Sequence, residues 1–166
     1  MRYNHNRKRG CVRMFIRNIR KSDYKAVDNL LLQLHQQDVT SRPDLFSPTD
    51  HYMTKESFDN LVESRHVMTI LAQQRMEILG CCFVSMLEKS GDAHIKTAYI
   101  DLLVVDEKHR RKGIGKALFN EVQKRARKAG AKRVNLTVWS YNKIAESAYE
   151  SYGMTPLRSV YEIGIS

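Results

Sequence analysis

The sequence has few residues that support covalent cross-linking or metal binding, and it has no long apolar segment. Three cysteines occur in 166 residues, and they form neither a disulfide framework nor a metal-ligand spacing. No apolar run approaches the roughly 20 residues that cross a bilayer, and the N-terminus lacks the apolar core of a signal peptide. These absences predict a cytoplasmic protein with reduced thiols and no metal site. The adjacent Cys81 and Cys82 are expected in a strand, on opposite faces.

Acidic residues are absent from the first 13 positions. The basic residues there are Arg2, Arg7, Lys8, Arg9 and Arg13. They carry half of the net charge of +10, in a segment with little apolar content, which predicts a disordered basic arm over residues 1–13. One domain is expected over residues 14–166. The arm is interpreted as a solvated tail, with a nucleic-acid or membrane contact as the alternative.

Hydrophobic periodicity and turn residues predict an α/β (α+β) fold, with a mixed, twisted central sheet of six to seven strands flanked by about four helices. The predicted strands are 14–20, 67–73, 76–87, 95–105 and 133–139, with one or two more within 154–165. The predicted helices are 22–37, 54–64, 117–128 and 142–152, with Ser22 and Asn142 as N-caps. The strand–loop–helix–strand unit over 95–139 suggests a right-handed crossover between parallel strands.

A basic loop containing two glycines follows the apolar run at 100–105. Its residues are Arg110, Arg111, Lys112, Gly113, Ile114, Gly115 and Lys116. A strand that leads through such a loop into a helix builds an anion site, because the loop amides and the positive end of the helix dipole point to one spot. The glycines let the backbone approach a ligand closely. The loop therefore predicts a site for a phosphate-bearing ligand.

Two common phosphate motifs do not fit this loop. A P-loop requires GxxxxGK[ST], but Ala117 follows Gly115-Lys116 and no glycine stands five positions before Gly115. A dinucleotide fingerprint requires a third glycine or alanine where this chain has Leu118, and it belongs to the first βαβ unit rather than to a late one.

A longer pattern gives a more specific interpretation. The segment from Leu103 through Val104, Val105 and Arg110 to Gly115 resembles the acyl-CoA signature of the GNAT superfamily of N-acetyltransferases. A second segment resembles the later helix of that family, and its matching residues are Asn142, Ala145, Ala148, Tyr149, Glu150, Gly153 and Met154. Arg111 departs from the family, in which glycine is common at this position. The resemblance covers residues 14–166 and implies the GNAT fold.

The resemblance also implies how acetyl-CoA binds. The pyrophosphate is expected on the amides of residues 111–116, and Arg110, Asn142 and Tyr149 are counted among the acetyl-CoA-binding residues. The pantetheine arm is expected to pair, like an added strand, with Leu103 and Val105, the two residues on either side of Val104. A backbone amide near Val105 is expected to polarise the thioester carbonyl.

Two residues are the candidates for proton transfer. Tyr149 is the candidate general acid for the departing thiolate, with Tyr152 as its rival one helical turn away. Asp101 is the candidate general base, acting through water. The alternatives are a packing role for Tyr149 and a solvent-facing or paired role for Asp101.

The function predicted from these residues is transfer of an acetyl group from acetyl-CoA to a primary amine by direct attack. A small-molecule or peptide amine is the expected acceptor, and a homodimer is left open. Further acceptor-side candidates are Asp38, Asp44, Asp50, Glu56 and His35, whereas His51, His66 and His94 are taken as incidental. The alternatives are an acyl-CoA sensor without turnover and a basic module that associates with RNA or ribosomes. The chain has no aromatic-interleaved basic motif of the RNA-binding folds, which weighs against nucleic acid.

Overall fold

The computed structural model describes residues 13–89 and 95–165. Within them, five strands and four α-helices form a mixed α/β domain. The strands are β1 (Phe15–Arg17), β2 (Val67–Gln74), β3 (Glu77–Lys89), β4 (Ile95–Val105) and β5 (Arg133–Leu136). The helices are α1 (Tyr24–Ser41), α2 (Lys55–Glu63), α3 (Ile114–Lys128) and α4 (Lys143–Ser151). Residues 1–12 of the predicted arm, and the expected turn at 90–92, lie outside the described residues.

The strands form one sheet in the order β1-β2-β3-β4-β5. The first four strands pair antiparallel, and β4 pairs with β5 in parallel. The parallel pair is the one that the sequence predicted, because α3 connects the two strands. The mixed sheet is therefore confirmed, although the count of six to seven strands is corrected to five among the described residues.

Apolar side chains fill both faces of the sheet. One core cluster includes Cys82, Leu118 and Phe119, and α3 covers it. The other includes Cys81 and Phe58, and α1 and α2 cover it. The adjacent cysteines thus point to opposite faces, as the strand pattern predicted.

Two helices begin at residues other than those predicted. Ser22 does not cap α1, because a short 3-10 turn at Lys21–Asp23 precedes the helix. The Asp23 carboxylate accepts hydrogen bonds from Arg17 (2.7 and 2.9 Å) and from the Arg20 amide (2.7 Å), which holds that turn. Helix α3 begins three residues earlier than predicted, since Gly113 takes a left-handed conformation (φ 79°) and Ile114 is already buried in the core.

The strands after α3 are shorter than predicted. β5 ends at Leu136 rather than residue 139, and Trp139 beyond it stacks on Tyr141 instead of joining the sheet. The final strands expected within 154–165 are absent from the described residues; Met154 packs against the core, whereas the large apolar side chains from Leu157 to Ile165 face solvent. No described helix combines the length and apolarity required to cross a bilayer.

Candidate active site

A gap between the two parallel strands forms the centre of the site. The pairing of β4 with β5 ends at Ile100 and Leu136, whereas β4 continues to Val105, paired with β3 alone. Residues 101–105 therefore present one backbone edge without a neighbouring strand among the described residues. An extended ligand that carries amide groups can pair with such an edge.

A β-bulge lies where this gap begins. Phe83 of β3 pairs with Leu102, but the next residue, Val84, pairs with Ile100. Asp101 is the extra residue on β4. Bulges redirect side chains next to functional sites, and here the Ser85 hydroxyl donates to the Asp101 carboxylate at 2.7 Å. Asp101 is thus exposed at the opening of the gap, with one of its oxygens held.

The basic loop connects the far end of β4 to α3. Ala117 donates to the Gly113 carbonyl at 3.0 Å, so the amides of the preceding helical residues have no acceptor within the helix. A Cβ added at Gly115 would lie 3.1 Å from the Tyr152 hydroxyl and 3.7 Å from a Val105 methyl. The absence of a side chain at Gly115 lets Tyr152 and Val105 pack close to the backbone here. The free amides and the loop's exposed cationic side chains lie where the sequence predicted an anion cradle, which stays a prediction.

Arg111 occupies a backbone conformation that normally favours glycine. Its φ is 63°, in the left-handed region where a Cβ is unfavourable. This strain matches the departure noted in the sequence, where glycine is common in the family at this position.

Two side chains fix the start of the loop. Asp106 accepts from the Lys108 amide (3.3 Å) and contacts a ring nitrogen of His109 (3.1 Å). The other ring nitrogen of His109 lies 3.5 Å from Glu77 of β3. These three residues place possible metal-ligand atoms within 4.8 Å of one another. Because both ring nitrogens face carboxylates, the arrangement fits an ion-pair bridge between the loop and β3.

Helix α4 places two tyrosines beside this site. The Asn142 side chain caps the helix by accepting from the Ala145 amide at 3.1 Å, as predicted. The rings of Tyr149 and Tyr152 meet edge to face at 6.2 Å. Tyr152 also packs on Phe119 at 5.2 Å, and its hydroxyl faces the Gly115 backbone. Tyr152 thus connects α4 to the basic loop.

Tyr149 is influenced by a different neighbour, Cys82 of β3. Burial raises the pKa of Tyr149 to about 12, with smaller contributions from Cys82 and Tyr152. Burial also raises the pKa of the Cys82 thiol well above its usual value, with Cys81 and Asp101 raising it further. Tyr149 and Asp101 therefore both interact electrostatically with the same buried thiol, and the phenol is protonated at every physiological pH.

An aromatic group follows the end of β5. Trp139 stacks on Tyr141 at 5.8 Å and meets Phe46 edge to face at 5.8 Å. The Tyr141 hydroxyl donates to Asp38 at 2.7 Å. This group joins the end of α1, the loop before α2 and the segment after β5 into one wall.

Of the other acceptor-side candidates, only His35 contacts the aromatic wall. His35 contacts the Ser47 carbonyl at 2.8 Å and the ring of Phe46 at 6.1 Å, so it supports the aromatic wall. Asp44 is paired with Arg42 (2.7 Å). Asp50 and Glu56 are exposed in the loop before α2 and in α2.

The histidines taken as incidental have different positions. His51 contacts the buried carboxylate of Asp28 at 2.8 Å, and His66 is exposed. His94 lies outside the described residues.

Sequence reasoning missed Ser85, the aromatic wall and the contact between Tyr152 and Gly115. Ser85 is separated from Asp101 by 16 positions, and only the register of the β3–β4 hairpin brings them together. Trp139 was assigned to a strand, because its apolar neighbours gave the same signal as sheet residues.

Comparison with known proteins places the chain in a family. Residues 31–154 match the Acetyltransferase (GNAT) family. The chain therefore belongs to this family, and it is an N-acetyltransferase. No curated protein matches the sequence significantly.

Solved structures have the same fold at low sequence identity. A mutant of the BH1408 protein from Bacillus halodurans is 24% identical, with a TM-score of 0.89 over 92% of this chain and 99% of that one. AAC(6')-Iy, in complex with the bisubstrate analogue CoA-S-monomethyl-acetylneamine, is 15% identical, with a TM-score of 0.72 over 93% and 99%. A ribosomal-protein-alanine N-acetyltransferase from Brucella melitensis biovar Abortus 2308 is 19% identical, with a TM-score of 0.69 over 93% and 100%.

Proposed function

We propose that this protein transfers the acetyl group of acetyl-CoA to a primary amine by direct attack of the amine on the thioester. The observation that carries the proposal is the open β4 edge at residues 101–105, which runs from the bulge at Asp101 to the basic loop. One elongated ligand with a phosphate-bearing end and an amide-bearing arm matches both features. Acetyl-CoA has both parts.

The donor is held mainly by backbone groups in this proposal. The pyrophosphate lies on the amides of residues 111–116, where the first turn of α3 leaves amides free and the helix dipole favours an anion. The pantetheine amides pair with Leu103 and Val105 on the open edge, and the buried Val104 side chain holds the strand in place. The amide near Val105 donates to the thioester carbonyl and stabilises the negative charge that develops there.

The chemistry follows from the two groups beside the gap. Asp101, acting through a water molecule, takes a proton from the ammonium group of the acceptor. The amine nitrogen then attacks the carbonyl carbon, the new C–N bond forms, and the C–S bond breaks. Tyr149 donates a hydrogen bond to the leaving sulfur, and the second proton, which the nitrogen loses after attack, ends on that sulfur and gives the CoA thiol. The products are an acetamide and CoA.

Direct attack is preferred to an acetyl-cysteine intermediate because of the state of the thiols. Burial raises the pKa of Cys81 to about 12, and the pKa of Cys82 is also raised well above its usual value. A nucleophilic cysteine needs a lowered pKa and an accessible sulfur, which neither of these two residues has.

The acceptor enters beside the aromatic wall in this proposal. Asp38 and the rings of Trp139 and Tyr141 combine a carboxylate with π-faces, and both attract a cationic amine. A small-molecule or peptide amine fits this chemistry. The similar structures include one bound to a neamine-containing analogue and one named for a ribosomal-protein alanine.

Isothermal titration of the full-length protein with acetyl-CoA tests donor binding. Gly113→Glu should abolish binding, because it puts a carboxylate beside the pyrophosphate site. Gly130→Glu is the matched control, since Gly130 has a similar φ (83° against 79°) and equally open surroundings at the other end of α3. If the wild type does not bind, or both variants bind alike, the proposed donor site is wrong.

Turnover separates an enzyme from an acyl-CoA sensor. Release of free CoA thiol is measured against a panel of aminoglycosides, polyamines and peptides, with a minus-acceptor control. Acceptor-dependent thiol release supports the transferase, whereas tight acetyl-CoA binding without release by any amine favours the sensor.

A further inference from the structure

The positive charge of the domain is concentrated in one stretch of the chain. Residues 108–133 contain 11 of the 28 lysines and arginines and one of the 18 acidic residues. The rest of the domain, over 14–107 and 134–166, has 12 lysines and arginines against 17 acidic residues and is therefore net negative. A charge separated in this way within one domain is typical of a surface that binds a polyanion.

The fold brings many of these cations to one face. Helix α3 packs its apolar side against the sheet, so its polar side faces solvent. Four exposed residues form a line along that side at spacings of three and four, and they are Lys116, Asn120, Gln123 and Arg127. Lys124 and Lys128 lie beside this line, Lys132 lies in the turn that follows α3, and Arg133 begins β5. These eight exposed residues are called the α3 surface below.

Most of these cations are not neutralised. Glu121 is the acidic residue of the stretch, and it is contacted by Arg125 at 2.7 Å and by Lys124 at 3.6 Å. The other five cations of the α3 surface form no ion pair within the part of the chain that the structure describes. They are therefore available to contact phosphates.

The α3 surface extends well beyond the basic loop. A helix rises 1.5 Å per residue, so Arg127 lies about 20 Å from Gly113, at the far end of α3. The pyrophosphate in the proposed donor site lies on the loop and does not neutralise Arg127, Lys128 or Lys132. A longer chain of phosphates is needed to contact the whole surface.

The side chains of this surface favour a duplex over a single strand. Proteins that bind unpaired bases stack them on aromatic rings. The aromatic residue of α3 is Phe119, which is 2% exposed and faces the core. The lack of an aromatic-interleaved motif in the sequence therefore weighs against unpaired RNA, but not against a duplex that is bound through its backbone.

The order of side chains along α3 matches the minor groove of an RNA duplex. That groove is wide and shallow and displays 2′-hydroxyls between its phosphates. The amides of Asn120 and Gln123, which donate to and accept from hydroxyls, occupy the centre of the line. Lys116 and Arg127 lie at its ends, about 16 Å apart along the helix axis.

We propose that the α3 surface binds the minor groove of double-stranded RNA. Its lysines and arginines contact the phosphates, and Asn120 and Gln123 contact the 2′-hydroxyls. Helix α3 covers one face of the sheet, whereas α1, whose end forms part of the aromatic wall, packs on the other. An RNA duplex on α3 therefore leaves the proposed acceptor side uncovered.

Fluorescence anisotropy of the full-length protein with a labelled RNA duplex of about 20 base pairs tests the proposal. Six phosphate contacts predict that binding weakens about 1,000-fold between 50 and 200 mM salt. Arg127→Gln with Lys128→Gln and Lys132→Gln should weaken binding at least about 30-fold at 100 mM salt. The same triple variant should reduce the slope of log affinity against log salt by about 2 to 3.

Lys25→Gln with Arg65→Gln and Arg158→Gln is the matched control, because it removes three exposed cations outside residues 108–133. The control should bind RNA within about threefold of the wild type, and thermal unfolding verifies that both triple variants fold. If both lose affinity equally, or neither does, the proposal is wrong, because net charge or the basic arm then accounts for the attraction.

Two comparisons identify the partner. The RNA duplex should bind at least about 10-fold more tightly than a DNA duplex of the same sequence, and Asn120→Ala with Gln123→Ala should reduce that difference. A DNA duplex, or vesicles that contain phosphatidylserine, binding as tightly as the RNA would overturn the assignment to RNA. Saturating acetyl-CoA should change the RNA affinity by less than about threefold, and displacement of the RNA by acetyl-CoA would contradict a surface separate from the donor site.

Discussion

Replacing Tyr149 with phenylalanine tests the proposed chemistry with the least disturbance to the fold. Tyr149→Phe removes one oxygen and keeps the ring that meets Tyr152 edge to face at 6.2 Å. The variant should therefore fold with nearly the same stability and bind acetyl-CoA with the same affinity. The expected change is in kcat.

The size of that change follows from the environment of the phenol. General acids contribute about 10²–10⁴-fold. Burial raises the pKa of Tyr149 to about 12, well above the roughly 8.5 of a thiol, so full proton transfer to the sulfur is uphill. A hydrogen bond to the developing thiolate is then the main contribution. We expect a loss at the lower end, about 100-fold in kcat, or about 2.7 kcal/mol.

The pH dependence provides a second readout. A tyrosine with a pKa of about 12 stays protonated throughout the working range, so its ionisation causes no decline in rate between pH 6 and 10. The ratio of wild-type to Tyr149→Phe kcat should accordingly be constant over that range. Steady-state release of CoA thiol at a series of pH values measures it.

Tyr152→Phe is the matched control on the same helix. It removes the same atom, but the Tyr152 hydroxyl lies beside the Gly115 backbone in the basic loop. Tyr152→Phe should change kcat by less than about threefold, and any effect it has should appear in the KM for acetyl-CoA. The reasoning is refuted if Tyr149→Phe keeps its kcat within twofold, or if Tyr152→Phe loses as much.

Three further changes follow from single contacts. Asp101→Asn should lower kcat/KM for the amine about 10- to 100-fold and leave the affinity for acetyl-CoA unchanged. If steady-state kinetics show an unaltered rate, Asp101 is not the base. Gly80→Ala puts a Cβ 2.7 Å from the Val104 carbonyl. It should therefore lower the free energy of unfolding, measured by urea titration, by about 1–3 kcal/mol. An unchanged midpoint would mean that the β4 backbone can shift away from the added Cβ at little cost. Burial raises the pKa of Asp23, but hydrogen bonds from Arg17 and the neighbouring backbone outweigh this and lower it overall. The stabilisation that the Asp23 carboxylate gives the fold is therefore complete above about pH 4 and declines as the pH falls through the lowered pKa. Asp23→Asn should be less stable than wild type at pH 7, and its free energy of unfolding should fall less on acidification.

Local sequence signals predicted the elements whose ends are set by local chemistry. The bounds of β4 were predicted as the structure has them, since an apolar β-rich run ends at a polar turn. The cap at Asn142 was predicted because its side chain bonds an amide three residues away. The basic loop was recognisable for the same reason, as its glycines and charges are contiguous.

Features that depend on register were not predictable. The bulge exposing Asp101 exists only because β3 and β4 pair with one residue unmatched, and neither strand's sequence marks that position. The one or two strands predicted within 154–165 are absent from the described residues, because an alternating pattern does not specify a partner strand. In this structure the pairing partner is absent from the described part of the same chain.

The divergence of β4 and β5 connects the proposed donor site and the proposed acceptor side. Buried backbone groups need hydrogen-bond partners, and β4 continues for five residues after β5 has stopped pairing with it. Acetyl-CoA supplies those partners in the proposed function. The acceptor wall occupies the remaining space, because Trp139, released from the sheet where β5 ends, packs against Phe46 in the loop before α2. In the proposed function, the choice of amine therefore depends on that loop, while donor binding depends on the backbone of β4 and the glycines that follow it.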